Sequence, residues 1–417
     1  MTEAPAPDRL VRHGMFLLAM SQVSNFSNMA FHMVMGRYLT PDEYGVLATM
    51  LNLLLVLATP LDALRNAMAH SAGRSMQRGD RGAIRVLARL WLMRALVIGI
   101  PAGSVLVLAS EELAGFFHLA SPDAVRVAGF LLPIMLLVPI LSGLLQGAQA
   151  FVWMSLTMHG WGVIRLALAS ALVVWVAASA TAGVVSHAVA QLLSLVVGMT
   201  GVLYITRGAH LQQAPAGVGG YFVQSLLMLA GFGVLMNSDV MLVRHYHPEQ
   251  AGHFAWAATI GRSVIFLPMP IALAMFPKVI SMGASSAQTR RTLARAVLMA
   301  VGLIGAAVGA VWVLPGLPLL IIYGERAPSA ELCWLVRWVC LAMSPLGVTY
   351  VLVHFEMAQH RFASVPWLLV CAAAYIGAVA LWHASVLTVV LVLGLASLAT
   401  ALLFVIMLLR ASDQPVH

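Results

Sequence analysis

The chain is 417 residues long, 61% hydrophobic and only 9% charged, with a formal net charge of +8. A soluble domain carries about 25% charged residues, so the composition excludes one, and apolar runs of about 20 residues, the length that crosses a bilayer as a helix, recur from end to end. The runs do not alternate polar and apolar positions, which excludes a membrane β-barrel, and the positive charge falls mostly in connections, where it sets topology rather than recruiting nucleic acid.

The polar tail Thr2–Arg12 is too short and too polar for a signal peptide, so the first span is expected to act as the insertion signal. About twelve spans follow. They start near His13, Tyr44, Ile84, Asp123, Ser155 and Thr181, then near Tyr221, Ala251, Thr292, Ser329, Ala363 and Ser385. The stretch Thr206–Gly219 contains Gly, Pro and Gln and no apolar run. The expectation is an all-α polytopic membrane protein: an N-terminal six-helix bundle over 1–205, a linker over 206–219 and a C-terminal six-helix bundle over 220–417. Arg65, Arg74, Arg78, Arg81, Arg85 and Arg89 crowd one connection; Lys278, Arg290, Arg291 and Arg295 crowd its counterpart. Asp42, Glu43, Glu111, Glu112, Glu249 and Glu325 cluster on the opposite side. Positive residues stay in the cytoplasm, which predicts both termini there.

The two halves echo one another. Arg37, Pro41, Asp42, Gly45 and Ala48 match Arg244, Pro248, Glu249, Gly252 and Ala255, at a constant offset of 207. The run Arg85–Arg89 (RVLAR) returns as Arg291–Arg295 (RTLAR), and Gln146–Gln149 is echoed more weakly by Glu356–Gln359. A repeat at half length with an even number of spans predicts two like bundles related by an axis along the membrane normal.

Asn237-x-Asp239, then Arg244, Pro248-Glu249 and Ala251-Gly252, resembles the seventh-helix region of the polysaccharide-transporter family. That family belongs to the multidrug/oligosaccharidyl-lipid/polysaccharide exporters, whose bundles are MATE-like. Gly261–Pro268 and Phe276–Lys278 continue the pattern, and Gly36–Gly45 is similar to the family's first external turn. The resemblance implies a flippase of the cytoplasmic (inner) membrane that moves a lipid-linked, polyprenyl-pyrophosphate oligosaccharide for surface polysaccharide synthesis. Its partners would be that substrate, membrane lipids, and polysaccharide polymerase or export proteins. Two alternatives stand beside it: a MATE-like exporter of small molecules or drugs, and a non-transporting subunit of a polysaccharide-export assembly.

Polar groups inside a bilayer are costly unless they meet a partner or a wet cavity. Ser21, Asn25, Asn28 and His32 share one face of the first span, a cavity wall or a seam of interhelical hydrogen bonds. The second span carries Asn52, Thr59, Asp62 and Asn66, with Arg65 as a cavity group or a cytoplasmic anchor. His187, Gln191 and Ser194 form a second wall or a packed seam. Arg94 and Arg337 lie near helix ends and read as anchors, whereas Arg165 and Arg262 lie deeper, with few carboxylates near. Cationic groups of that kind suit pyrophosphate, because arginine meets phosphate oxygens bidentately. The candidate substrate-binding set is therefore Arg262, Arg165, Asn25, Asn28, Asn52 and Arg65. Asp239 and His32, equivalent by the repeat, are coupling candidates, or Asp239 is a structural carboxylate for Arg244 or a helix end. Leu267–Pro270, Pro133 and Pro139 are sites for helix bending.

No P-loop, His-Glu-x-x-His or nucleophile elbow occurs, so the chain is not expected to be an enzyme. Cys333, Cys340 and Cys371 lack metal-ligand spacing, and no cofactor or metal is expected.

Overall fold

The computed structural model describes residues 7–209, 220–272, 275 and 287–412, and their regular structure is entirely helical. Residues 210–219 of the expected linker, the run Phe276–Lys278 and the tail before residue 7 lie outside the described residues.

Helices α1 (Pro7–Tyr38), α2 (Pro41–Ala58), α3 (Leu61–Gln77), α4 (Arg81–Leu108) and the short α5 (Ser110–Phe116) open the chain. The first half closes with α6 (Asp123–Gly147), α7 (Phe151–Trp175) and α8 (Ala180–Ile205). The second half holds α9 (Gly220–Asn237), α10 (Asp239–Tyr246), α11 (Ala251–Phe266) and α12 (Ala287–Val313). It ends with α13 (Gly316–Tyr323), α14 (Ala330–Ala358), α15 (Val365–Leu381) and α16 (Val386–Ser412).

Among the described residues nine helices are long and apolar enough to cross a membrane, or ten if the bent pair α9 and α10 is one span. The sequence predicts about twelve. The two that fall short are informative. α15 has only 17 residues, and α1, though 32 residues long, is diluted by Ser21, Asn25, Asn28 and His32. Two further spans are broken. Pro41–Gln77 is interrupted after Thr59, where Pro60 has no amide to donate to the helical ladder. α9 meets α10 at 45° across Ser238, without any proline. The prolines act unevenly. α6 runs unbroken through Pro133 and Pro139, while α11 stops at Phe266, just before Pro268.

The chain forms two compact units. The first is Met1–Leu39 with Leu61–Phe222; the second is Thr40–Pro60 with Val223–His417. This division departs from the expected 1–205 and 220–417, because α2 clusters with the second half of the chain.

In the first unit α6 is central, packing on α3, α4 and α8. Small residues let the backbones approach, as in many membrane bundles. A Cβ at Gly143 would stand 2.3 Å from the Arg65 carbonyl oxygen, and one at Gly103 would stand 2.5 Å from that of Gly129. Around these contacts Met68, Ile84, Ile140, Leu141 and Leu144 form a buried core.

In the second unit α14 is central, flanked by α11, α12 and α16. α2 begins with a Thr40 side-chain cap on the Glu43 amide, Pro41 in the first turn, and Asp42 and Glu43 beside the positive helix end. It docks on α10 and α11. Tyr44 Oη lies 3.1 Å from both Tyr323 Oη and Thr259 Oγ1, and Tyr323 stacks on Trp256.

The structure shifts one echo by a residue. Ala150 N donates to Leu145 O, and Arg361 N donates to Glu356 O, each at 2.9 Å. Glu356 is thus equivalent to Leu145 rather than Gln146. The shift also aligns Gln149 with His360, both at positive φ, 56° and 54°.

Candidate functional site

The two deep arginines singled out by the sequence, Arg165 and Arg262, each sit in a cluster, one in each unit. In the first, α1 turns Ser24, Ser27, Phe31 and Met35 inward. Gly162 on α7 admits Ser24, whose Oγ would sit 3.1 Å from a Cβ placed there. One turn further along α7, Arg165 is 3% exposed. Its guanidinium carbon lies 3.9 Å from the Phe31 ring centroid and 4.9 Å from that of Trp161, and it donates to Asn28 Oδ1. Arginine suits this place because its planar cation stacks on aromatic faces. His187 from α8 meets the Trp161 ring edge-on at 5.3 Å. His187 and Ser194 are buried, so on α8 the packed seam wins over a second wall.

The polar stripe of α1 stays open: Asn25 and Asn28 are exposed, Ser21 and His32 half-buried. Arg65 pairs with Asp62 at 2.8 Å, three residues before it.

In the second unit Arg262 is not the carboxylate-poor cation that the sequence suggests. It donates to Asp239 Oδ1, and its Nε donates to Met236 O at 3.3 Å. The correction follows from the bend at Ser238, which brings Asp239 onto α11. Asp239 consequently does not serve Arg244, which pairs with Asp42 at the start of α2. Asp239 is the first residue of α10, where the free helix amides favour an anion. Tyr375 on α15 and Asn237 on α9 are also buried, and Tyr375 lies within electrostatic reach of Asp239 and Arg262.

Asn52 departs from its expected part as well. It is buried on α2, and its amide nitrogen donates to the carbonyl oxygen of Ala48 at 2.7 Å. The candidates thus fall into two groups: Asn25, Asn28, His32, Arg65 and Arg165 in the first unit, and Asn52, Asp239 and Arg262 in the second. The anchor reading suits Arg94, stacked 5.0 Å from the Trp91 ring, and Arg337, whose Nε donates to Trp312 O at 2.9 Å.

Sequence reasoning missed Phe31, Trp161, Tyr375 and the tyrosine pair, because aromatic residues in apolar spans look like ordinary packing. Among the described residues no three His, Cys, Asp or Glu side chains gather as a metal site.

Residues 17–171 match the MatE family model. No curated protein matches the chain in sequence. Among solved structures, an inward-facing multidrug resistance MATE family transporter of the MOP superfamily superposes with a TM-score of 0.74 at 14% identity, over 93% of this chain and 94% of that one. The lipid II flippase MurJ, in an inward closed conformation, gives 0.70 at 10% identity, over 94% and 87%. A MOP superfamily transporter from Pyrococcus furiosus, described as having a binding pocket of reverse polarity, gives 0.62 at 14% identity, over 98% and 96%. The chain therefore has the all-helical fold shared by MATE transporters and MurJ, as the sequence resemblance implies.

Proposed function

Starting from that fold, we propose that the chain is a transporter that moves an anionic lipid-linked oligosaccharide across the cytoplasmic membrane by alternating access, for surface polysaccharide synthesis. One observation carries the reading: each unit keeps an arginine buried among apolar helices, Arg165 in the first and Arg262 in the second. A charge at bilayer depth costs about 2.5–3.5 kcal/mol on insertion scales, and such residues mark transport paths. A guanidinium backed by Phe31 and Trp161 is poorly hydrated, which strengthens its attraction for a phosphate. Asn25, exposed on the same helix as Asn28, offers an amide to sugar hydroxyls. The fold shared with a lipid II flippase supports a lipid-linked cargo, with a polyprenyl pyrophosphate as its anionic part.

The test is deletion of the gene followed by leaflet-resolved analysis of lipid-linked glycans. Intermediates accumulate in the inner leaflet under this reading, and Arg165→Ala fails to clear them although it reaches the membrane.

A second reading is an exporter of small molecules, favoured by the MatE family match over residues 17–171. It predicts unchanged glycans and raised drug sensitivity on deletion. The neutralisation of Asp239 by Arg262 weighs against cationic cargo at that carboxylate.

A further inference from the structure

Arg337 stands on an apolar outer face of the second unit. Trp334, Arg337 and Leu341 share one side of α14, and Trp334 and Leu341 are exposed. The end of α12, which Arg337 touches at Trp312, exposes Val313, and Leu314 follows it. From Arg291 to Trp312 α12 rises about 32 Å, close to the thickness of a hydrocarbon core. Trp312 and Arg337 therefore lie near the membrane surface opposite Arg291 and Arg295. Helical side chains lean toward the start of their helix, so Arg337, about 10 Å along α14, reaches back to that surface. We propose that Arg337, with Trp312 and Trp334 beside it, binds the headgroup of an anionic phospholipid in the leaflet on that side.

The cation lacks a counter-charge of its own. Arg244 and Arg262, in the same unit, each pair with a carboxylate. Among the described residues Arg337 has no ion pair. The acidic groups nearest in sequence are turned elsewhere. Glu325, next to Arg326 in the turn before α14, accepts from the Ala327 amide at 3.2 Å. Glu331 lies in the first turn of α14, on a different side of the helix from Arg337. An uncompensated charge beside hydrocarbon interacts strongly with any ion that reaches it, because the local dielectric is low.

The geometry suits a phosphodiester. Arg337 Nε donates to Trp312 O at 2.9 Å, which fixes the guanidinium plane and leaves the Nη N–H groups for an outside acceptor. A phosphate accepts parallel bonds from such a fork. Phosphatidylglycerol carries no cation, so its whole negative charge meets the arginine. The headgroups of phosphatidylcholine and phosphatidylethanolamine bring an ammonium that offsets theirs. Trp338 packs against Trp312 and Trp334, with ring centroids 5.9 Å and 5.8 Å away. Indoles favour the level of the headgroups, so the cluster holds this part of the unit where the phosphate lies. The site is independent of the proposed cargo.

Native mass spectrometry of the full chain tests this, with dioleoyl phosphatidylglycerol and dioleoyl phosphatidylcholine added in turn to the detergent-purified protein. The wild type is expected to bind phosphatidylglycerol about tenfold more tightly, the scale of one charge-assisted hydrogen bond. Arginines at the other surface attract the same lipid, so the deciding readout is a difference of one bound lipid between proteins. Arg337→Gln binds one phosphatidylglycerol fewer than the wild type and the same amount of phosphatidylcholine. Arg337→Lys keeps the charge without the fork and holds that lipid several-fold more weakly. Equal affinity of the wild type for both lipids overturns the inference. An unchanged count in Arg337→Gln also overturns it, because the lipid then sits elsewhere. If Arg337→Gln does not fold, Arg337→Lys decides, and wild-type affinity in that variant overturns the inference.

Discussion

Gly45 and Gly252 hold the same position in the two halves of the sequence, and their backbones touch where α2 crosses α11. A Cβ at Gly45 would meet Gly252 Cα at 3.0 Å, and one at Gly252 would fall 2.1 Å from the Pro41 carbonyl oxygen. Gly252→Ala forces the backbones apart and is expected to cost about 1–3 kcal/mol, in the range of overpacked cores. Gly45→Ala costs less. Apparent melting temperatures of the purified protein check the order, and equal values would sink it.

A second pair of equivalent glycines behaves oppositely. The RVLAR and RTLAR runs align Gly103 with Gly309. Gly103 is pressed against Gly129, whereas nothing lies within 4 Å of a Cβ at Gly309. Gly103→Leu is expected to abolish a monodisperse folded protein in size-exclusion chromatography. Gly309→Leu should stay within about 0.5 kcal/mol of wild type, as a substitution away from packed features does.

The pair Asp239–Arg262 predicts strong coupling in a double-mutant cycle. Removing either partner strands a buried ion, at about 3–5 kcal/mol. Asp239→Leu with Arg262→Met removes both charges and should recover much of that loss. Additive single effects in unfolding experiments would show that the two charges do not interact.

Arg165 makes its contacts through shape as well as charge. Lysine keeps the charge but loses the planar stack on Phe31 and the donor fork. Arg165→Lys is expected to slow cargo translocation by roughly tenfold, the equivalent of about 1.4 kcal/mol, while the protein remains as abundant as wild type. Unaltered transport by this variant would assign Arg165 to packing alone.

The helices were legible because each apolar run announces its length. The partners of the charges were not. Asp239 and Arg262 lie on different helices, and their pairing needs the bend at Ser238, which no proline signals. Asn52 reads as a free amide until the backbone shows Ala48 O within its reach. The break after Thr59 did have a signal in Pro60, yet the apolar run continues on both sides, and hydrophobicity alone reads one span. The repeat spacing matched Gly45 with Gly252 but carried no sign that their backbones meet, because a one-residue match says nothing of packing.

The allegiance of α2 also bears on how the chain is made. Residues 40–60 leave the ribosome early, but the rest of their compact unit begins at Val223, roughly 160 residues later. At about 5–20 residues per second, synthesis of the intervening stretch takes on the order of ten to thirty seconds. During that interval the face of α2 that will receive Arg244, Gly252 and Tyr323 has no mate, and lipid or a chaperone must shield it. A fragment ending after α8 would carry this orphan helix permanently, so the first half of the gene is expected to yield an aggregation-prone product that co-expression of the second half rescues.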